Sequence, residues 1–77
     1  MRTYQPVSCA FHDVLERAAL RRRAITVVFA DADGKVLSTV AVIDDVFAKA
    51  GVEFIRLGSG ETIRLDSLRT VHGTKAS

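Results

Sequence analysis

The stretch AITVVFADADGKVLSTVAVI, Ala24 to Ile43, decides the fold. Ala24 to Ala30 is β-branched, aromatic or small, a composition that suits a strand. Asp31-Ala32-Asp33-Gly34 is turn chemistry, with Gly34 able to supply the positive φ that a tight connection needs. Lys35 to Ile43 then predicts a second strand, closing a hairpin. Along it Val36, Ser38, Val40 and Val42 share one face, and Leu37, Thr39, Ala41 and Ile43 the other. Both faces are largely apolar, so the expectation is a long strand bent around a barrel and partly covered on both sides.

Before the hairpin the period changes. Phe11, Leu15, Ala18, Ala19 and Arg22, with Val14 adjoining, form a mostly apolar stripe at helical spacing, predicting a helix over about 8–22. Ser8 stands where an N-cap is needed, and Pro6 stops the helix from extending backwards. Arg21, Arg22 and Arg23 fall at its last turn, where cations complement the exposed carbonyls by roughly 0.3–1 kcal/mol each.

After the hairpin, Asp44 to Gly51 reads as a turn or a single helical turn closed by Gly51. Val52 to Leu57 alternates as a strand, Gly58 to Glu61 is a tight turn, and Thr62 to Leu65 is another strand. Asp66 to Leu68 makes a corner before a final strand at Arg69 to Gly73, and 74–77 reads as a frayed tail. One helix and five short strands without a parallel crossover predict a mainly β chain: a single domain over 1–77, with a small five-stranded antiparallel barrel at about 24–73.

Composition agrees with a folded domain: 48% of the 77 residues are hydrophobic and 26% charged. A core built from so few residues is small. No run approaches the ~20 apolar residues of a membrane span, and Met1-Arg2 leads into Tyr-Gln-Pro rather than an apolar signal core, so a cytoplasmic protein is expected. A lone cysteine, Cys9, fits a reducing compartment. The net charge of +2 is unevenly spread. Residues 1–23 carry five arginines against Asp13 and Glu16, a balance of +3, whereas residues 24–77 carry six cations against seven acids. No long basic stripe of the kind a nucleic-acid groove uses is present.

The catalytic inventory is thin. Cys9 and His12 share a helix and could touch, but the helix offers no group to orient the base except Asp13, which points differently. His72 has no sequence neighbour that would tune it. Asp31, Asp33 and Gly34 look like half a calcium loop, yet position 12 of that loop would be Val42. Gly58-Ser59-Gly60 is a turn with no following helix to cradle phosphate, and Asp44-Asp45 lacks a partner carboxylate. Neither an enzyme nor a metal or cofactor site is expected.

The opening Tyr4-Gln5-Pro6-Val7-Ser8-Cys9, followed by Asp13, Leu15-Glu16 and Ala18, resembles the start of the Rof (YaeO) family of Rho-binding antiterminators. The likeness continues through Asp33-Gly34, Asp45, Val52-Glu53-Phe54, Gly60-Glu61-Thr62 and Leu65-Asp66, in order and across nearly the whole chain. The family is longer between Thr62 and Leu65. This resemblance implies an Sm-like barrel behind an N-terminal helix. It also implies a non-enzymatic regulator of transcription termination in bacteria, a monomer or weak oligomer that binds Rho at its primary RNA-binding domain and keeps RNA off.

Carried over by position, the resemblance places partner binding at Tyr4, Gln5, His12, Asp13, Glu16 and Arg17, with Asp13 and Glu16 as exposed acids on the helix side away from the apolar stripe. An ordinary surface role is the alternative for each, and Asp13 could pair with Arg17 at i+4. Tyr4 either packs under the barrel or anchors an interface; Pro6 and Cys9 hold the helix entry. The chain departs from the family in having Ala10 and Phe11 where acids are usual, and Arg21, Arg22 and Arg23 where uncharged residues or histidine stand. That departure sustains a second reading, an Sm-like RNA-binding module using Arg21, Arg22 and Arg23 as a basic patch. Phe29, Phe47 and Phe54 read as core, which leaves that module few stacking platforms.

Overall fold

Asp31 sets the first hairpin. Its Oδ1 accepts hydrogen bonds from the backbone N–H groups of Asp33 and Lys35, both at 2.9 Å, and Gly34 at φ 81° completes the turn. Strand β1 (Ile25–Ala30) therefore pairs with β2 (Val36–Ala41) in an unbroken antiparallel register from Ile25↔Ala41 to Ala30↔Val36. These relationships come from a computed structural model, which describes residues 7–75.

Helix α1 (Cys9–Arg21) starts where expected. The Ser8 side chain accepts from the Phe11 N–H at 3.2 Å, and Phe11 and Leu15 are buried. The expected role of Pro6 lies outside the described residues. Arg22 does not continue the apolar stripe: it is the C-cap, left-handed at φ 52°, with its N–H on the Ala18 carbonyl at 3.2 Å. Only Arg21 of the three arginines lies in the last helical turn.

The second strand does not run unbroken to Ile43. It stops at Ala41, and after Val42 the chain enters a different sheet as β3 (Ile43–Lys49). Asp44 to Gly51 is thus mostly strand, which corrects the expected turn or helical turn. The reversal is confined to Ala50 and Gly51, at φ 52° and 79°, a two-residue connection with both φ positive. That is the type I′ geometry whose twist matches flanking strands. Pairing with β4 (Val52–Leu57) prevails over the local preferences of Asp-Asp and Ala-Lys-Ala. A bulge between Ile43 and Asp45 leaves Asp44 as the extra residue in β3.

Strand β5 (Thr62–Arg64) pairs with β4, a 3-10 turn spans Leu65–Ser67, and β6 (Leu68–Val71) returns to lie beside β1. Residues Thr74–Lys75, expected to fray, form β7 against β6 after a turn at His72 and Gly73.

The molecule is mainly β with one N-terminal helix, and the closed five-stranded barrel is not formed. Among the described residues there are seven strands in two open sheets, ordered β2-β1-β6-β7 and β3-β4-β5. Closure fails at both seams. Val42 splits the bent strand between sheets, and the Leu65–Ser67 turn separates a three-residue β5 from β6. One backbone bond, Gly58 N–H to the Val42 carbonyl at 2.9 Å, ties the crossing to the β4–β5 turn.

The core lies between the sheets and under α1. It contains Phe11, Leu15, Val27, Phe29, Ile43, Ile55, Leu57, Ile63, Leu65, Leu68 and Val71. β2 contributes none of these, contrary to the expected cover on both faces: it is an edge strand, with Val36 58% and Val40 68% exposed. Phe47 and Phe54 are only half-buried, and so are not core either. Among the described residues no helix is long and apolar enough to cross a membrane.

Candidate functional site

The helix has two working flanks, one on each side of the buried Phe11/Leu15 stripe. On the first, His12 Nε2 lies 2.8 Å from Glu53 Oε2 on β4, and His12 Nδ1 lies 3.4 Å from Glu16 Oε1. The imidazole thus bridges a carboxylate one helical turn along and another from the sheet. It can donate to both only with hydrogen on both nitrogens. Its nitrogens face carboxylates rather than Cys9, which is exposed in the first turn. Asp13 and Glu16 are both exposed, as the helical spacing predicts, and no Asp13–Arg17 ion pair forms among the described residues.

Beyond Glu16 the same flank opens into a shallow groove of about 370 Å³ between α1 and β3. Glu16, Asp44 and Asp45 line it with Leu20 and Arg22. Leu20 is 83% exposed, an apolar side chain standing among carboxylates. The bulge in β3 positions Asp44: its Oδ1 is 3.3 Å from Arg22 Nη1 and its Oδ2 accepts from Arg56 Nε at 3.2 Å. Arg56 also reaches Asp45 at 3.6 Å and lies 6.0 Å from the centre of the Phe47 ring. That ring stacks on Phe54 with centroids 5.4 Å apart and planes at 19°. Arg22 and Arg56 together face three carboxylates, which leaves the groove with a small acidic excess.

The second flank carries Arg17 and Arg21. The left-handed turn at Arg22 divides the arginine run: Arg22 goes to Asp44, while Arg21 and Arg23 join Arg17 and His72 around a separate cleft. The run expected as one basic patch is therefore two unlike environments.

Of the residues singled out from sequence, His12 and Glu16 come together and Glu16 lines the acidic groove, whereas Asp13 is exposed and does not line it, and Arg17 lies on the other flank. Tyr4 and Gln5 lie outside the described residues. Sequence reading missed Leu20, Asp44 and Glu53 as members of this surface. The adjacent Asp44-Asp45 was the available signal, but its side chains acquire a common direction with Glu16 only through the bulge. Among the described residues, no group of three histidine, cysteine or acidic side chains is placed to hold a metal ion. Comparison of the chain with protein-family models, curated proteins and solved structures finds no match.

Proposed function

We propose that the protein is a non-enzymatic binding domain that presents its acidic groove to a basic protein surface. The observation that carries this reading is the convergence of Glu16, Asp44 and Asp45 around the exposed Leu20. Carboxylates on a rigid scaffold compete with nucleic-acid phosphates for a basic partner and steer encounter, while an apolar anchor fixes register. Together with the sequence resemblance to the Rof family, the partner of choice is the bacterial termination factor Rho at its primary RNA-binding domain. In the cytoplasm, occupancy there would block RNA loading and reduce Rho-dependent termination.

The alternative, an RNA-binding module using Arg21, Arg22 and Arg23, has its own observation in the half-exposed Phe47–Phe54 stack beside Arg56. It is the weaker reading, because Arg22 is engaged by Asp44 and Arg56 by Asp44 and Asp45.

The test is competition between this protein and a labelled cytidine-rich RNA for purified Rho, followed by anisotropy at two salt concentrations. Release of RNA from Rho, reduced by Asp13→Ala with Glu16→Ala, supports the reading. Retention of RNA by Rho, or release that occurs only through capture of the RNA on this protein, sinks it.

A further inference from the structure

A cleft of about 410 Å³ opens beside the second flank of α1, at the start of β1. Among the described residues, Arg17, Arg21, Arg23 and His72 line it, and no carboxylate does. Within the described residues none of these arginines makes an ion pair. Val14, Ala18 and Ile25 add an apolar lining.

The cations are brought there by backbone geometry. Arg17 and Arg21 are one helical turn apart on the same flank. The left-handed Arg22 reverses the chain and delivers Arg23 back to the cleft. His72, itself at φ 51°, is held by its N–H on the Thr26 carbonyl at 2.9 Å, which places the β6–β7 turn at the rim.

Three guanidiniums on one cavity repel one another, and a bound anion relieves that repulsion. Their planar forks match the oxygens of a phosphate better than a point charge would. The volume falls within the ~300–1,000 Å³ usual for small-molecule sites. A single cavity also suits one phosphate group, where a tracked backbone would need a basic stripe.

We propose that this cleft binds a phosphate monoester carrying a flat or apolar body, in class a nucleoside monophosphate. The arginines hold the phosphate, and the Val14, Ala18 and Ile25 side chains underlie the base. A free nucleotide and the 5′ end of an RNA chain offer the same terminal phosphate. The proposal is independent of the acidic groove and of Rho.

The test is titration of the nitrogen-15-labelled protein with AMP, adenosine, and a short oligoadenylate with or without a 5′ phosphate, read by amide chemical shifts. AMP is expected to give saturable shifts at Val14, Arg17, Arg21, Arg23 and His72, and adenosine none. Arg21→Gln with Arg23→Gln should weaken AMP at least about tenfold, since each charge-assisted bond is worth over 1.4 kcal/mol. Arg17→Gln provides a second, independent variant, and unchanged melting shows that each still folds. Tighter binding of the 5′-phosphorylated oligonucleotide at the same residues identifies an RNA end as the source, and tighter AMP binding a free nucleotide. Absence of localised shifts, equal binding of adenosine, or AMP binding that survives both variants would overturn the proposal.

Discussion

Arg22 Nη1 lies 3.3 Å from Asp44 Oδ1, so the middle member of a run of three arginines is turned away from its neighbours. The same carboxylate receives Arg56, and one bulged residue thereby joins the helix end to the sheet. A charge run that reads as one feature in sequence becomes two surfaces of opposite sign.

Replacing Asp44 with alanine removes both pairings at a partly exposed site. Such pairs contribute little, so stability should fall by no more than about 1 kcal/mol by urea unfolding. The effect on the surface should be larger: with Arg22 and Arg56 uncompensated the groove loses its acidity, and inhibition of RNA binding to Rho should drop. Undiminished competition would remove Asp44 from the docking surface.

The two leucines of α1 should separate folding from binding. Leu15 is fully buried, so Leu15→Ala should cost about 2–5 kcal/mol and leave much of so small a domain unfolded. Leu20→Ala should alter stability by about 0.5 kcal/mol or less, because its side chain stands in solvent. If the groove docks a partner around that side chain, the same substitution should weaken binding by more than 1 kcal/mol. Calorimetric melting and a binding isotherm on the two variants check both halves.

Much of the first half of the fold was legible because its signals are local. Ser8 caps a helix whose stripe runs through Phe11 and Leu15, and Asp31 to Gly34 carries its own turn chemistry. The misreadings were non-local. Asp44 to Lys49 has local preferences for turn or helix, and becomes a strand only because Val52 to Leu57 pairs with it. Alternation along Val36 to Ile43 showed two apolar faces but not that β2 would be an edge strand among the described residues. Glu53 lies 41 residues from His12, so no helical spacing could reveal their hydrogen bond.

Ala50 occupies a left-handed position at φ 52°, where a side chain with Cβ costs roughly 1 kcal/mol. Ala50→Asn should stabilise the β3–β4 hairpin by about 0.5–1 kcal/mol, since asparagine before glycine favours this turn. Ala50→Val should destabilise it by at least about 1 kcal/mol. Denaturant midpoints for the three proteins give the order Asn, Ala, Val; any other order contradicts the turn assignment.

The β2 edge lacks the usual guards. Val36 to Ala41 carries no charge and no proline, and its register with β1 contains no bulge. Val40→Lys should leave the melting temperature nearly unchanged and raise the concentration at which the protein begins to self-associate. Light scattering across a concentration series checks this, and identical onset in both proteins would acquit the edge.

The order of strands has a kinetic consequence. The sheet β3-β4-β5 is one uninterrupted stretch of chain, residues 43–64, whereas β1 and β6 of the other sheet lie on either side of it. Pairing Val27 with Val71 therefore closes a loop that contains the whole inner meander. Loop closure costs entropy that only later contacts repay, and a meander already folded shortens the span to be closed. Pulse-labelled hydrogen exchange during refolding should protect the Ile55 amide before that of Val71; simultaneous protection would argue against this sequence of events. On the ribosome the same nesting means that residues 43–64 can collapse while β6 is still being made, so the inner sheet can be in place before the outer one is closed.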